Sequence, residues 1–399
     1  MSKAPPAIRA SWLREPGLQR LFRVIAEAGG EARVAGGAVR NALLKLPIND
    51  IDLATTLPPQ RVQGACTRAG FKVVPTGIVH GTVTVIIDHR PYEVTTLRAD
   101  VETDGRHATV AFHDDWQADA ARRDFTMNAL YCDAKGKIYD FTNGYRDILN
   151  QKVRFAGKPA QRIAEDYLRI LRFFRFHARF GRGAPDKAGL AACARAARHL
   201  DTLSAERIRQ ELLKLLAAPG AVATLKVMAR AKILKHVLPY TEEWRVLSRL
   251  PPDPVRRLAV LAAEPDALKS RLRLSNEEAG RIARARTAIA PSPALRPAEQ
   301  RGVLYHLGPE TWRDAVSLAW ARSRAPLTDR GWKRLLTLPG RWPLPVLPVT
   351  GHDLIAAGVP PGPLLGAELR RLEDWWIAAD FKSGRAALLQ RAGSRTGDS

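Results

Sequence analysis

GGAVRNALLKLPINDIDLAT, residues 36–55, sets two glycines, a helical run and an alternating Asp-Ile-Asp in one short stretch. Arg33-Val34-Ala35 runs into Gly36-Gly37 as a short strand, and Ala38 to Leu44 continues as a helix until Pro47 breaks it. Ile48 to Ala54 alternates apolar with polar, as a half-buried strand does. On such a strand Asp50 and Asp52 point to the same side, and two neighbouring carboxylates repel unless a cation joins them. Their hard oxygen ligands suit Mg²⁺. Gly36 and Gly37 lack a Cβ, so their amides can approach phosphate oxygens, and Arg40 in the first turn can reach a triphosphate. A lone D-x-D or GG is weak. In this order and at this spacing the two point to phosphoryl-transfer chemistry.

Working outward, residues 1–155 read as a mixed α/β head. Leu18 to Ala28 is helical and stops at Gly29-Gly30. Gly81 to Ile87 and Tyr92 to Leu97 are β-branched runs around Asp88-His89-Arg90-Pro91, a hairpin. Ala99 to Thr109 reads as a polar mobile loop, and Tyr131-Cys132-Asp133 with Lys137 to Phe141 as a last hairpin. Beyond that, helices take over. Ile163 to Phe180, Ala188 to His199, Ala205 to Leu216 (with Ser204 as N-cap) and Ala221 to Ala231 fit helical spacing, giving a neck over 156–235. Residues 236–399 read as a helical body and tail with Pro-rich joints and a polar end after Gly393. The expected class is α+β.

The 399-residue chain carries 63 Lys+Arg against 40 Asp+Glu, a formal +23. That field draws polyanions, nucleic acid above all, although an Arg-rich compositional bias gives the same number. No apolar run approaches the ~18–20 residues of a membrane span. Met1 to Pro6 is not expected to be a secretory signal. Cys66, Cys132 and Cys193 show neither a disulfide framework nor zinc spacing, so a reducing cytoplasm is expected. His113-Asp114 and His352-Asp353 are bare dipeptides without the further ligands of a metal phosphohydrolase.

GGAVRNALLKLPINDIDLAT resembles the first motif of the class II tRNA nucleotidyltransferase and bacterial poly(A) polymerase superfamily. RRDFTMNAL (122–130) resembles its second motif, RIAEDYLRILR (162–172) its nucleotide-template motif and SAERIRQELLKL (204–215) its last. Residues 351–381 resemble the family's tail more loosely. The resemblance implies a polymerase-β-like nucleotidyltransferase head with a mixed sheet, then an all-α neck, body and tail. It implies two-metal Mg²⁺ chemistry at Asp50 and Asp52, with addition of C, C and A from CTP and ATP to the 3′ end of tRNA. Asn41 and Lys45 depart from the family's frequent Asp and Gly, and Lys158 from a usual acidic residue.

The remaining site residues carry two readings each. Glu93, flanked by apolar residues, is either an edge-strand charge or a third acidic group at the metals. Arg123 and Asp124 are an ion pair or cap by chemistry alone. The resemblance makes Arg123 a nucleotide contact, with Asp124 and Asn128 on the ribose hydroxyls. Asp166 and Arg169, spaced i,i+3, are a surface salt bridge or an acceptor–donor pair matched to cytosine and adenine. Arg172 is expected nearer the phosphates. Arg175, Arg179 and Arg182 continue a basic stripe that is either solvated or an RNA contact. The segment Thr76 to Thr82 looks like CCA-type enzymes, and no basic insertion of the polyadenylating branch stands out. A poly(A) polymerase, an enzyme adding only CC or A, and a silent RNA-binding protein stay open, as does the oligomeric state.

Overall fold

A computed structural model describes residues 4–78, 81–103, 108–264 and 266–393. Val79 and His80 of the Thr76–Thr82 segment, and the polar end after 393, lie outside the described residues. The chain divides into two compact units, Met1–Pro239 and Tyr240–Ser399. The first holds head and neck together.

In the head, α1 (Pro16–Glu27) precedes β1 (Ala32–Ala35), α2 (Gly37–Leu43), β2 (Asp52–Thr55), α3 (Pro59–Arg68) and β3 (Lys72–Gly77). Then come β4 (Thr82–Ile87), β5 (Arg90–Thr96), β6 (Arg98–Thr103), β7 (Ala108–Phe112), α4 (Trp116–Ala121), β8 (Leu130–Cys132), β9 (Ile138–Asp140) and α5 (Gly144–Leu149). Seven strands form one sheet in the order β3-β4-β5-β2-β1-β8-β9, and β6-β7 form a separate hairpin. The sheet is mixed because β2 runs parallel to β5 while its other pairings are antiparallel. The β4–β5 turn needs only Asp88 and His89, both at positive φ, the two-residue geometry that follows strand twist.

Two expectations are corrected here. The strand expected over Ile48 to Ala54 starts only at Asp52, because Pro47 and the residues after it run as an irregular lead-in. The loop expected from Ala99 to Thr109 pairs as β6 and β7 on both sides of residues 104–107, which lie outside the described residues. Helix α3 and strand β3 have no counterpart among the elements expected from sequence; β3 forms the sheet's far edge beside β4.

The neck comprises α6 (Pro159–Glu165), α7 (Arg169–Phe180), α8 (Lys187–Ala196), α9 (Ala205–Leu216) and α10 (Ala221–Arg230). The single helix expected over Ile163 to Phe180 is interrupted at Asp166, whose φ −155° and ψ 106° are extended. Ser204 stands at the N-cap of α9, but its side chain makes no capping hydrogen bond. Fully buried Phe125 binds head to neck by packing on Phe155 at 5.1 Å and on Phe176 of α7 at 4.9 Å. Phe155 in turn stacks on Phe173 at 5.3 Å. Each such ring contributes roughly 1.5–3 kcal/mol by leaving water.

The second unit is helical, from Trp244–Arg249 to Arg385–Gly393. Its longest helix, Pro297–Arg322, breaks at Gly308 (φ 72°, ψ 166°) ahead of Pro309. The stretch before the break joins the tail through a two-pronged Arg301–Asp380 pair and a Tyr305–Glu373 hydrogen bond. The stretch after it places fully buried Asp314 between Arg256 and Arg281. Among the described residues no helix is long and apolar enough to cross a membrane.

Gly144 opens α5 where a Cβ would sit 2.1 Å from the Thr126 carbonyl oxygen, main chain that cannot rotate away. We expect Gly144→Ala to destabilise the first unit by about 3 kcal/mol through overpacking, read as a lower denaturation midpoint.

Candidate active site

The end of β1 delivers Gly36 to the site. Its N–H donates to the Leu130 carbonyl at 2.9 Å, and its φ of +67° lies where only glycine is at ease. A Cβ there would also stand 3.2 Å from Arg123 Nη1 and 3.3 Å from the Asn128 carbonyl oxygen. A Cβ at Gly37 would meet nothing nearer than Arg40 Nη2 at 3.9 Å, so that approach is open.

Asp52 opens β2 and is exposed, and Asp50 lies two residues earlier, in the lead-in rather than on the strand. The parallel register sets Asp52 directly beside Glu93 on β5, also exposed. Although Asp52 reaches solvent, the protein around it displaces part of its hydration; that loss, then the charges of Glu93 and Asp50, raises its carboxyl above the ordinary range, and Arg123 opposes them. Mutual repulsion of this kind is what a bound cation relieves. Among the described residues no three Asp, Glu, His or Cys side chains are gathered tightly enough to hold a metal ion alone, so the three acids do not close into a cage. An all-oxygen set of this sort suits Mg²⁺, which takes one or two carboxylates and completes its shell with phosphate and water.

A hydrogen-bonded chain runs from the head into the neck. Arg40 donates to Asn128 Oδ1 at 2.5 Å and to Asn41 Oδ1 at 2.8 Å, with its guanidinium 4.5 Å from the Phe180 ring centre. Asn128 Nδ2 donates to Asp124 Oδ1 at 2.9 Å, and the Phe125 amide donates to the same oxygen at 2.8 Å. Asp124 Oδ2 accepts from Arg172 of α7, whose Nη1 lies 3.7 Å from Glu211. Burial alone would raise the Asp124 carboxyl, but Arg172, Asn128 and the Phe125 amide hold it below the usual range. Burial, with Arg175, Arg179 and Arg172 nearby, lowers Arg40 to about 10 against the pull of Asp124. Arg40 thus remains a cation within a cluster of cations, a site built to receive an anion.

Asp166 and Arg169 are not the side-by-side helical pair that their spacing suggests. With the helix interrupted, Asp166 Oδ1 caps the Leu168 amide at 3.0 Å and Oδ2 accepts from Arg207 of α9 at 2.8 Å. Arg169 Nη1 donates to Glu165 at 2.6 Å and to the Arg162 carbonyl at 2.7 Å. Its Nε and Nη2 have no hydrogen-bond partner among the described residues. Each is braced by a neighbouring side chain, Asp166 by Arg207 and Arg169 by Glu165.

The basic stripe divides. Arg175 pairs with buried Glu211 at 2.5 Å, whereas Arg179 and Arg182 are exposed. Arg182 lies past the end of α7, beyond Gly181. Sequence reasoning passed over Arg207, Glu211, Asp119 and Tyr131. The first two sit in the quoted 204–215 segment, where Arg207 and Glu211 are spaced i,i+4 on one helix face.

Comparison with known proteins comes to the same place. A family model described as the poly(A) polymerase head domain matches residues 32–154, and one described as "Probable RNA and SrmB-binding site of polymerase A" matches 184–245. The chain is 36% identical to the mitochondrial CCA tRNA nucleotidyltransferase 1 of Mus musculus, over 94% of this chain and 89% of that protein. It is 32% identical to the CCA-adding enzyme of Limosilactobacillus fermentum, over 95% and 96%. The crystal structure of the Bacillus stearothermophilus CCA-adding enzyme in complex with CTP is similar at TM-score 0.79 and 27% identity, covering 96% of this chain and 98% of that one.

Because Asp124 is held below the ordinary carboxylate range, its pairing stabilises the fold above about pH 4 and is lost as pH falls through the depressed value. Asp124→Asn should cost about 2–3 kcal/mol at neutral pH. The gap from the parent protein should narrow below about pH 4, as measured by denaturation at both pH values.

Proposed function

This chain belongs to the CCA tRNA nucleotidyltransferase family, and from that premise we propose that it completes the 3′ end of tRNA with C, C and A taken from CTP and ATP, through the site formed by Asp50, Asp52 and the arginine-lined cleft beside them. The observation that carries this reading is the Asp124–Arg172 pair, which ties a head bearing the Asp52–Glu93 pair and the Gly36–Arg123 approach to the neck helix that follows the Asp166 linker. Such a site has what nucleotidyl transfer needs, and it needs no side-chain nucleophile.

Asp50 and Asp52 would hold Mg²⁺, with Glu93 beside them; the ion, when bound, neutralises phosphate charge and makes the RNA 3′-hydroxyl a better nucleophile. The open approach over Gly37, with Arg40, Arg123 and Arg172 around it, receives the triphosphate. Asp124 and Asn128 orient the ribose. These fixed donors neutralise charge as it develops, without reorganising at the moment of reaction. Asp166, held by Arg207, offers carboxylate acceptors to the exocyclic amine that cytosine and adenine share. Arg169 keeps Nε and Nη2 to donate to a ring nitrogen or the cytosine carbonyl. Uracil and guanine place a carbonyl against the acceptor and are refused. Exposed Arg179 and Arg182 lie where RNA phosphates would pass, and the helical body at 236–399 extends the tRNA contact. The three cysteines are free and buried, with Cys66 pushed up to about 11 by burial, inert thiols that suit a reducing compartment such as the cytoplasm.

Incubation with a tRNA lacking its 3′ terminus and each nucleoside triphosphate in turn should show two C incorporated, then one A. Long A tails, or uptake of C alone or A alone, would refute full CCA addition. Asp50→Ala should abolish incorporation while leaving the melting curve unchanged, since removing one of two repelling carboxylates releases strain. Retained incorporation in that variant would sink the metal assignment.

A further inference from the structure

Arg123 is held by two groups outside the set already assigned to the site. Asp119 on α4 is 1% exposed, and its two oxygens divide their work. Oδ1 accepts from Arg122 Nε at 2.9 Å, whereas Oδ2 accepts from Arg123 Nη2 at 3.1 Å and from the Tyr131 hydroxyl at 2.6 Å. The Tyr131 oxygen in turn accepts from Arg123 Nε at 3.0 Å. Arginine, carboxylate and phenol thus close a triangle in which each touches the other two. Nη1 alone is left without a hydrogen-bond partner among the described residues, and it stands 3.2 Å from where a Gly36 side chain would begin.

Tyr131 is fully buried on β8, the strand beside β1, and its ring meets Trp116 edge-on at 5.1 Å. The ring is fixed by packing and the hydroxyl by the triangle. An arginine side chain otherwise has several free rotors, and ordering them on substrate arrival would weaken binding. We propose that Tyr131, acting with Asp119, is a positioning residue for nucleotidyl transfer: it locks the Arg123 guanidinium so that Nη1 is presented across the Gly36 turn to the incoming nucleotide. This rests on Arg123 being a nucleotide contact. The charged donor is then in place before CTP or ATP binds, and the contact does not depend on the base.

Tyr131→Phe keeps the ring and removes one oxygen, so it tests the idea in the full-length enzyme with a tRNA lacking its 3′ terminus. We expect KM for CTP and for ATP to rise together by about three- to tenfold, the range for losing one hydrogen bond. The melting temperature should fall only slightly, as the loss of one buried hydrogen bond requires, and the preference for C and A over U and G should stay as it was. A merely structural tyrosine would lower melting temperature or active fraction and leave both KM values unchanged, which would overturn the proposal. A cycle with Arg123→Ala separates the layers. If Arg123→Ala leaves KM unchanged, the nucleotide contact itself is wrong and the proposal falls with it. If it raises KM and Tyr131→Phe adds nothing further in that background, Tyr131 acts through Arg123; if the two effects multiply, it does not. Should Arg123→Ala fail to fold, Arg123→Lys serves in the same cycle, since it keeps the charge and loses the fork.

Discussion

Everything at this site hangs on one carboxylate. Asp124 lies where the head's second motif meets the neck, and it accepts from its own chain at Phe125, from Asn128 and from Arg172 on α7. A buried acid with fewer partners would pick up a proton or pull water in after it. With all of them it fixes the distance between sheet and helix. Phe125, the next residue, is driven into the aromatic layer under α7, so one dipeptide supplies both the polar and the apolar halves of the joint. The Gly36 turn of the head and helix α7 of the neck are thereby held in one frame.

That frame carries an electrostatic cost, which points to its use. Arg172, Arg175 and Arg179 lie close enough to depress Arg40, and the acids among them, Asp124 and Glu211, are each shared between more than one partner. Aromatic faces make the crowd tolerable: Arg40 sits over Phe180 and Arg175 lies 4.5 Å from Phe176. Asp52, which Arg123 also influences, feels the negative charges of Glu93 and Asp50. Excess positive charge on one side and excess negative on the other suit a ligand that brings both a polyphosphate and a divalent cation.

Much of this was legible in the sequence because local rules and tertiary packing agree. Gly36 is glycine for a backbone reason, and Asp52 opens a strand, although Asp50 stays in the irregular lead-in that the alternation does not reveal. The β4–β5 hairpin announces itself through β-branched residues around a turn. The errors have a common source. Apolar spacing continues smoothly from Ile163 to Phe180, so nothing local shows the break at Asp166, which depends on Arg207 arriving from α9 forty-one residues later. The β6–β7 segment is polar in sequence, and polarity reads as loop. Asp119 and Tyr131 look like ordinary helix and strand residues until the fold brings them to Arg123.

The bend at Gly308 has a consequence of another kind. An unbroken helix transmits order along its whole length, since each turn's hydrogen bonds depend on the next. Here the ladder is cut between a stretch committed to the tail, through Arg301 and Tyr305, and one committed to the interior around Asp314. Loss of the tail therefore need not unzip the helix into the body. The backbone ladder is interrupted at residue 308 while Leu304, packed with Trp312 and Val316, carries side-chain order across the cut, so amide protection should step there rather than fade.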